Sequence, residues 1–325
     1  MKSYSELLDE LREIQNYFEQ NYGVNDIYSN SKIYEIIIAN ALDHELIPGH
    51  AGSRDAKNLD FEFEYKHFKE SSSNHSWTFN DFSDSTIAKL NNKNVRVIFA
   101  HINDLKWPPK LDWYFDVSGP TMSEYLKNYT SVIQNNRKMI NVSSNQITSR
   151  LNLKSITNKK HSGKFDAPLK KIFECVKKLE KLTGVSGILT SNKFWEVVVA
   201  EKLNHKVNSE QGGREGAHDA SDENGSWYEY KVGISTSWNF QDISDAVLNK
   251  YEELNAVVCA QVDKQTIGVK QLIEIAPDLL IPHLKKKLKS KERDYKSKGK
   301  TLRRKAISVT KNELIALGGK LKSIS

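Results

Sequence analysis

The chain repeats itself, and this constrains its fold more than any other feature. Ser76-Trp77-Thr78-Phe79-Asn80-Asp81-Phe82-Ser83-Asp84 returns as Ser237-Trp238-Asn239-Phe240-Gln241-Asp242-Ile243-Ser244-Asp245, with six identities at an offset of 161 residues. At the same offset Lys32-Ile33-Tyr34-Glu35-Ile36-Ile37-Ile38-Ala39 returns as Lys193-Phe194-Trp195-Glu196-Val197-Val198-Val199-Ala200, and Leu42 and His44 answer to Leu203 and His205. Glu64-Tyr65-Lys66 is matched by Glu229-Tyr230-Lys231, and Asp55-Ala56 by Asp219-Ala220. Asn94 to Ala100 resembles Asn255 to Ala260, and Ile140-Asn141-Val142-Ser143 resembles Ile307-Ser308-Val309-Thr310. Matches that keep their order in this way do not arise from similar composition alone. The 325 residues read as a tandem duplication, 1–160 and 161–325, joined near the polar stretch from Asn158 to Lys164.

Each copy opens with an amphipathic helix, Tyr4 to Tyr22 in the first and Ala167 to Leu182 in the second. Leu7, Leu8, Leu11, Ile14 and Phe18 share one face of the first. A second helix follows, capped by Ser31 or Asn192, then a glycine-bearing turn, Gly49 to Gly52 or Gly212 to Gly216. Strands are expected at Leu59 to Lys66 and Trp227 to Val232. Helices are expected to begin at Asp81 and Asp242, and apolar strands to span Val95 to Ala100 and Ala256 to Gln261. This order predicts an α/β unit with a small central sheet, present twice.

No run of about 18 apolar residues occurs, so no membrane span is expected, and the polar, acidic start at Met1 to Glu10 does not read as a signal peptide. Cys175 and Cys259 have apolar neighbours and read as core residues in a reducing, cytoplasmic setting. The net charge of +7 is uneven: beyond residue 280, 15 basic residues face 3 acidic ones. Residues 137–160 hold six basic residues and no acid. Such blocks serve a polyanion or form a solvated helix face.

The chemistry sits on the expected strands. Phe61, Phe63 and Tyr65 alternate with Glu62, Glu64 and Lys66, so one face is aromatic and the other charged. Glu229 and Lys231 share a face in the same way. A carboxylate and an ammonium two residues apart on a strand stand side by side, roughly 7 Å between α-carbons. Asp55 or Asp219 precedes by one turn and strand return, which brings a second carboxylate near. Two such carboxylates call for a cation, and oxygen ligands in a partly hydrated site suit Mg²⁺. A metal there polarises a phosphodiester, while the lysine positions or deprotonates a water and offsets transition-state charge. A lone Glu-x-Lys is commonly only a surface ion pair. Here the charged residues survive in both copies although Lys57-Asn58-Leu59-Asp60 has diverged to Ser221-Asp222-Glu223-Asn224. Glu35 and Glu196 lie inside nearly apolar helices and need a partner, a metal or the active-site lysine, unless they sit on an exposed helix edge. Phe79 and Phe240 read as core, whereas Ser76, Trp77, Asn80 and their counterparts remain open as DNA-facing groups. The histidines have no zinc-ligand spacing, and no phosphate loop or serine nucleophile elbow is present.

Asp55-x8-Glu64-Tyr65-Lys66 and Asp219-x9-Glu229-Tyr230-Lys231, each with an upstream helical glutamate, resemble the PD-(D/E)xK nuclease superfamily, closest in style to type II restriction endonucleases. The resemblance covers about residues 30–100 and 190–260. Arg54 and His218 stand where the family name has proline, and Asp60 or Asp222 could serve in place of Asp55 or Asp219. The resemblance implies two nuclease-like units, each a central mixed β-sheet flanked by helices. It implies Asp55, Glu64, Asp219 and Glu229 as Mg²⁺ ligands, Lys66 and Lys231 as catalytic, and Glu35 and Glu196 as auxiliary acids. The implied activity is Mg²⁺-dependent cleavage of both strands of duplex DNA at a short, pseudo-palindromic or asymmetric sequence. The chain would act as a monomer with one site per strand, alongside a cognate DNA methyltransferase. Arg137, Lys138, Lys285, Lys286, Lys287, Arg303, Arg304 and Lys305 are the candidate phosphate contacts. A repair or structure-specific nuclease of the same superfamily and a non-catalytic DNA-binding protein are the competing readings.

Overall fold

The computed structural model describes residues 3–29, 31–48, 54–131, 138–160, 162–189, 193–208, 218–299, 302 and 305–322, with residues 80–82, 130 and 138 described by their backbone. Its first half runs α1 (Tyr4–Tyr22), α2 (Lys32–Leu42), β1 (Glu45–Leu46), β2 (Ala56–Lys57), β3 (Glu62–Lys69), β4 (Ser76–Phe82) and α3 (Asp84–Leu90). It continues through β5 (Val95–Asn103), β6 (Lys110–Ser118), α4 (Gly119–Thr130), β7 (Lys138–Ser143), α5 (Ser144–Leu151) and β8 (Ile156–Thr157). The second half repeats this order element for element. It runs α6 (Asp166–Thr183), α7 (Lys193–Leu203), β9 (Lys206–Val207), β10 (Ala220–Ser221), β11 (Trp227–Gly233), β12 (Ser237–Phe240) and α8 (Asp245–Tyr251). Then come β13 (Ala256–Asp263), β14 (Gly268–Ile275), α9 (Pro277–Ser297), β15 (Ile307–Thr310), α10 (Lys311–Ala316) and β16 (Lys320–Lys322).

Each half builds a six-stranded mixed sheet of the same order, β1-β2-β3-β5-β6-β8 and β9-β10-β11-β13-β14-β16. Only β3 with β5, and β11 with β13, run parallel; the other neighbours are antiparallel. A parallel pair needs a crossover, and β4–α3 or β12–α8 supplies it. The crossover strands pair outside the main sheet, β4 with β7 and β12 with β15. The α/β expectation therefore holds, with two mixed sheets flanked by helices.

Local chemistry explains why the repeated segments are where they are. Ser83 and Ser244 accept a hydrogen bond from Thr86 N and Val247 N and so start α3 and α8. The expectation of helices from Asp81 and Asp242 is corrected by three residues, because Ser76–Phe82 and Ser237–Phe240 are strands. Their apolar residues recur every second position, and Trp77, Phe79, Trp238 and Phe240 are all buried. The match of Ile140–Ser143 with Ile307–Thr310 also has a cause: each ends in a capping box, Ser143 with Gln146 and Thr310 with Glu313. Ser31 precedes α2 in a left-handed conformation and makes no side-chain cap. Asn192 and both glycine-bearing turns lie outside the described residues. The Leu59-to-Lys66 strand runs instead from Glu62 to Lys69, since Asn58 closes a turn by accepting from Asp60 N and Phe61 N.

Two compact units emerge, residues 14–174 and residues 1–13 with 175–325. Their limits differ from the sequence repeats: the division falls inside α1 and inside α6. In the first unit the start of α6 docks on α2. Asn40 donates to Asp166 Oδ1 at 2.6 Å and accepts from Phe165 N at 2.7 Å. A β-carbon on Gly163 would meet Asn40 Oδ1 at 2.3 Å, so only glycine lets the chain pass there. In the second unit the start of α1 docks on α7, where the Tyr4 hydroxyl donates to Val197 O at 2.8 Å. One aromatic and aliphatic cluster surrounds Trp77, Phe99 and Phe115, and its counterpart surrounds Trp238, Cys259 and Ile273.

Candidate active sites

The sites arise from the strands that pair in parallel. On β3 the side chains of Phe63 and Tyr65 enter the core, which turns Glu64 and Lys66 to the opposite face. Lys66 Nζ donates to Glu64 Oε1 at 2.7 Å, and Lys231 Nζ donates to Glu229 Oε1 at 2.5 Å on β11. Each lysine lies over the phenylalanine of the crossover strand, Lys66 at 5.4 Å from the Phe79 ring and Lys231 at 5.9 Å from Phe240. This gives the repeated Ser-Trp-x-Phe segment its role. Trp77 and Trp238 donate through Nε1 to Ala100 O and Ala260 O, both at 2.8 Å, and lock the strand behind the lysine. The tryptophans left open as DNA-facing groups are thus core, because each indole finds both apolar packing and a carbonyl partner.

The aspartates stand beside the glutamates. Tyr65 N donates to Asp55 Oδ2 at 2.6 Å, and Tyr230 N donates to Asp219 Oδ2 at 2.7 Å. Asp60 is exposed in the turn before β3. Asp222 is occupied by Asn224 N, Ser226 N and the Tyr228 hydroxyl. Asp55 and Asp219, not these two, adjoin Glu64 and Glu229.

Burial, followed by the charges of Glu35 and Glu64, pushes the Asp55 carboxyl up to about 8. Burial, then Glu229 and Glu196, holds Asp219 well above the ordinary carboxylate range. Burial also opposes ionisation of Glu64, but Lys66 and Arg54 outweigh it and lower the carboxyl. Burial works against the Lys66 ammonium, yet Glu64, Asp55 and Glu35 together raise it. Lys231 is raised by Glu229 in the same way. Both lysines are therefore held as ammonium ions in this state, suited to binding and offsetting negative charge rather than taking a proton.

Glu35 and Glu196 join these clusters from α2 and α7, as their effects on Asp55 and Asp219 show. Their nearest cation is not the strand lysine. Lys32 lies 2.6 Å from Glu35 Oε2, and Lys193 donates to Glu196 Oε2 at 2.5 Å, each one turn back on the same helix. Glu35 Oε2 is buried, and this ion pair is its one partner among the described residues. These lysines were readable in the repeat as Lys-x-x-Glu. So were His44 and His205, whose Nδ1 atoms lie 2.8 Å and 2.9 Å from the Tyr65 and Tyr230 hydroxyls and fix the back of each site strand. Burial lowers the His44 imidazole to about 4 and lowers His205 as well.

No family profile matches this chain, and no curated protein is similar to it.

Among the described residues no three histidine, cysteine, aspartate or glutamate side chains gather into a metal cage. Mg²⁺ does not need one, since it is commonly held by one or two carboxylates, waters and substrate phosphate. Asp55 with Glu64, and Asp219 with Glu229, fit that description. Burial, and then the charges of Glu35 and Glu64, disfavour ionisation of Asp55, and a cation held there would offset the carboxylates gathered around it.

The candidate phosphate contacts fare differently. Arg137, Arg303 and Arg304 lie outside the described residues, and Lys138 stands on β7. Lys285 is half-buried and Lys286 exposed on α9, whose opposite side buries Leu280, Ile281, Leu284 and Leu288. Lys287 is largely engaged internally: it donates to Ser308 O at 2.7 Å and Glu313 Oε1 at 2.6 Å. Lys305 is exposed, 3.6 Å from Glu292. No described helix is long and apolar enough to cross a membrane.

Proposed function

We propose that this chain is a Mg²⁺-dependent DNA endonuclease with one active site per repeat, each cutting one strand of a duplex at a short specific sequence. One observation carries the reading. Asp, Glu and Lys meet at the same place in each of the two compact units, the Glu and Lys on the third strand of sheets with the same strand order, with a helical glutamate behind each set. Surface ion pairs have no reason to recur with their carboxylate neighbours and aromatic backing intact.

Asp55 with Glu64, and Asp219 with Glu229, would hold the ion, which when bound polarises the phosphodiester and makes a coordinated water more acidic. Lys66 and Lys231 supply fixed positive charge to the phosphoryl oxygens, where charge accumulates in the transition state. Phe79 and Phe240 beneath them, and the tyrosine–histidine contact behind the strand, keep those ammonium groups in place before substrate arrives. Exposed lysines such as Lys286 and Lys305 provide sequence-independent attraction to the DNA backbone. A single chain with two sites has what double-strand cleavage requires, and its two halves are free to read different half-sites.

The test is supercoiled plasmid cleavage with Mg²⁺ by Glu64→Ala, Glu229→Ala and the double variant. Each single variant should stop at a nick, in opposite strands of one mapped sequence, and the double variant should be inactive. Full double-strand cleavage by either single variant would end the two-site reading.

A further inference from the structure

The two sites differ at the residue before each aspartate. In the first, Arg54 Nη1 bonds Glu64 Oε2 at 3.1 Å while Lys66 holds Oε1, so both oxygens of the carboxylate already carry a cationic donor. Arg54 is held from its other side as well. Its Nη2 donates to Lys89 O at 2.7 Å, in the last turn of α3, where the helix end favours positive charge. In the second site the corresponding His218 lies flat on Trp227, ring centroids 3.8 Å apart and planes 15° apart. Glu229 is bonded by Lys231 through Oε1, and among the described residues no second cation pairs with it.

Resting on the nuclease reading and deepening it, we propose that Arg54 makes the first site the weaker binder of divalent cations, so that the two strands are cut in a fixed order. A metal ion approaching Glu64 must displace the guanidinium from Oε2. One approaching Glu229 meets a carboxylate that, among the described residues, pairs with Lys231 alone. At limiting metal the second site loads first, and nicked duplex accumulates with the break in the strand assigned to Glu229. Arg54 is thus a positioning residue, acting on metal occupancy through Glu64. Its place is where the resemblance has proline, a residue that could not compete for the carboxylate.

The experiment is calorimetric titration of the full chain with Mn²⁺, without DNA. Glu229→Gln isolates the first site and Glu64→Gln the second, with thermal melts confirming that each variant is folded. The first site should bind about tenfold more weakly, the scale of one charge-assisted hydrogen bond surrendered on binding. Arg54→Ala and Arg54→His, each placed in the Glu229→Gln chain, should bring the first site to the affinity of the second. Equal affinities in the two isolated sites would overturn the proposal while leaving the nuclease reading in place. So would Arg54 variants that bind Mn²⁺ no better, or worse. A wild-type chain that binds no Mn²⁺ at either site would overturn both.

Discussion

Replacing Asp55 by asparagine should change how stability depends on pH, by an amount the site geometry sets. Burial and the Glu35 and Glu64 charges raise this carboxyl from 3.8 to about 8 in the folded chain. At pH 5 an unfolded chain has already released the proton, whereas the folded chain keeps it until pH approaches 8. The contribution of this group is therefore fully present below pH 4 and is lost as pH rises toward 8. Between pH 5 and 7 the folded state holds one proton more, and stability falls by about 1.4 kcal/mol per pH unit, or about 3 kcal/mol over the interval. His44 and His67 work in the opposite sense. Both are lowered to about 4, chiefly by burial, so they add stability as pH rises from 4 to 6.5. The wild-type curve mixes these slopes, and the difference between wild type and Asp55→Asn isolates the carboxyl. Asparagine keeps an oxygen to accept from Tyr65 N and has no proton to lose. Urea titrations in chelator at pH 5, 6 and 7 should show the variant gaining about 3 kcal/mol on the wild type across that range. A difference constant within about 0.5 kcal/mol would refute the argument, because the carboxyl would then ionise alike in both states.

Four further outcomes follow from the same structure. Mn²⁺ affinity measured at the first site in Glu229→Gln should rise with pH by up to about tenfold per unit below pH 8, because the ion must displace the Asp55 proton. Trp77→Ala should cost about 3–5 kcal/mol in urea denaturation, from the cavity and the lost bond to Ala100 O, and should lower cleavage at the Glu64 site more than at the Glu229 site. Lys286→Ala should weaken DNA binding and reduce its salt dependence by about one ion with the melting temperature unchanged. Lys287→Ala should also lower the melting temperature, since Lys287 holds Glu313, whose carboxyl it draws down to about 2.

The duplicated chain lent its sequence an internal comparison, and this made the site strands, their charged face and the glutamate-bearing helices legible. Tyr4–Tyr22 was readable to the residue because Leu7, Leu8, Leu11, Ile14 and Phe18 form an uninterrupted stripe. In the Ser-Trp-x-Phe segment Phe79 and Phe240 were readable as core, and Trp77 was left open for a physical reason. Its burial depends on pairing with β7, whose Ser143 partners Ser76, and no local pattern separates a tryptophan under a distant strand from one facing DNA. The helix expected from Asp81 begins at Asp84 because the Ser83 hydroxyl caps it. The partner of Glu35 was sought at a distance and lies one turn away on Lys32. Arg54 was invisible as a partner of Glu64, since its counterpart in the other half is His218 and it reaches Glu64 only once β2 folds back on β3.

The cuts between compact units inside α1 and α6 bear on how such a protein can be taken apart. A gene severed after codon 160 would yield one product without the Phe165 amide and Asp166 carboxylate that satisfy Asn40, and another without the Tyr4 hydroxyl that binds Val197 O. Neither fragment would own a complete set of parts, though each would carry every acid and lysine of one site. Mixing the two fragments, rather than purifying either, is the route by which separated halves should regain their structure.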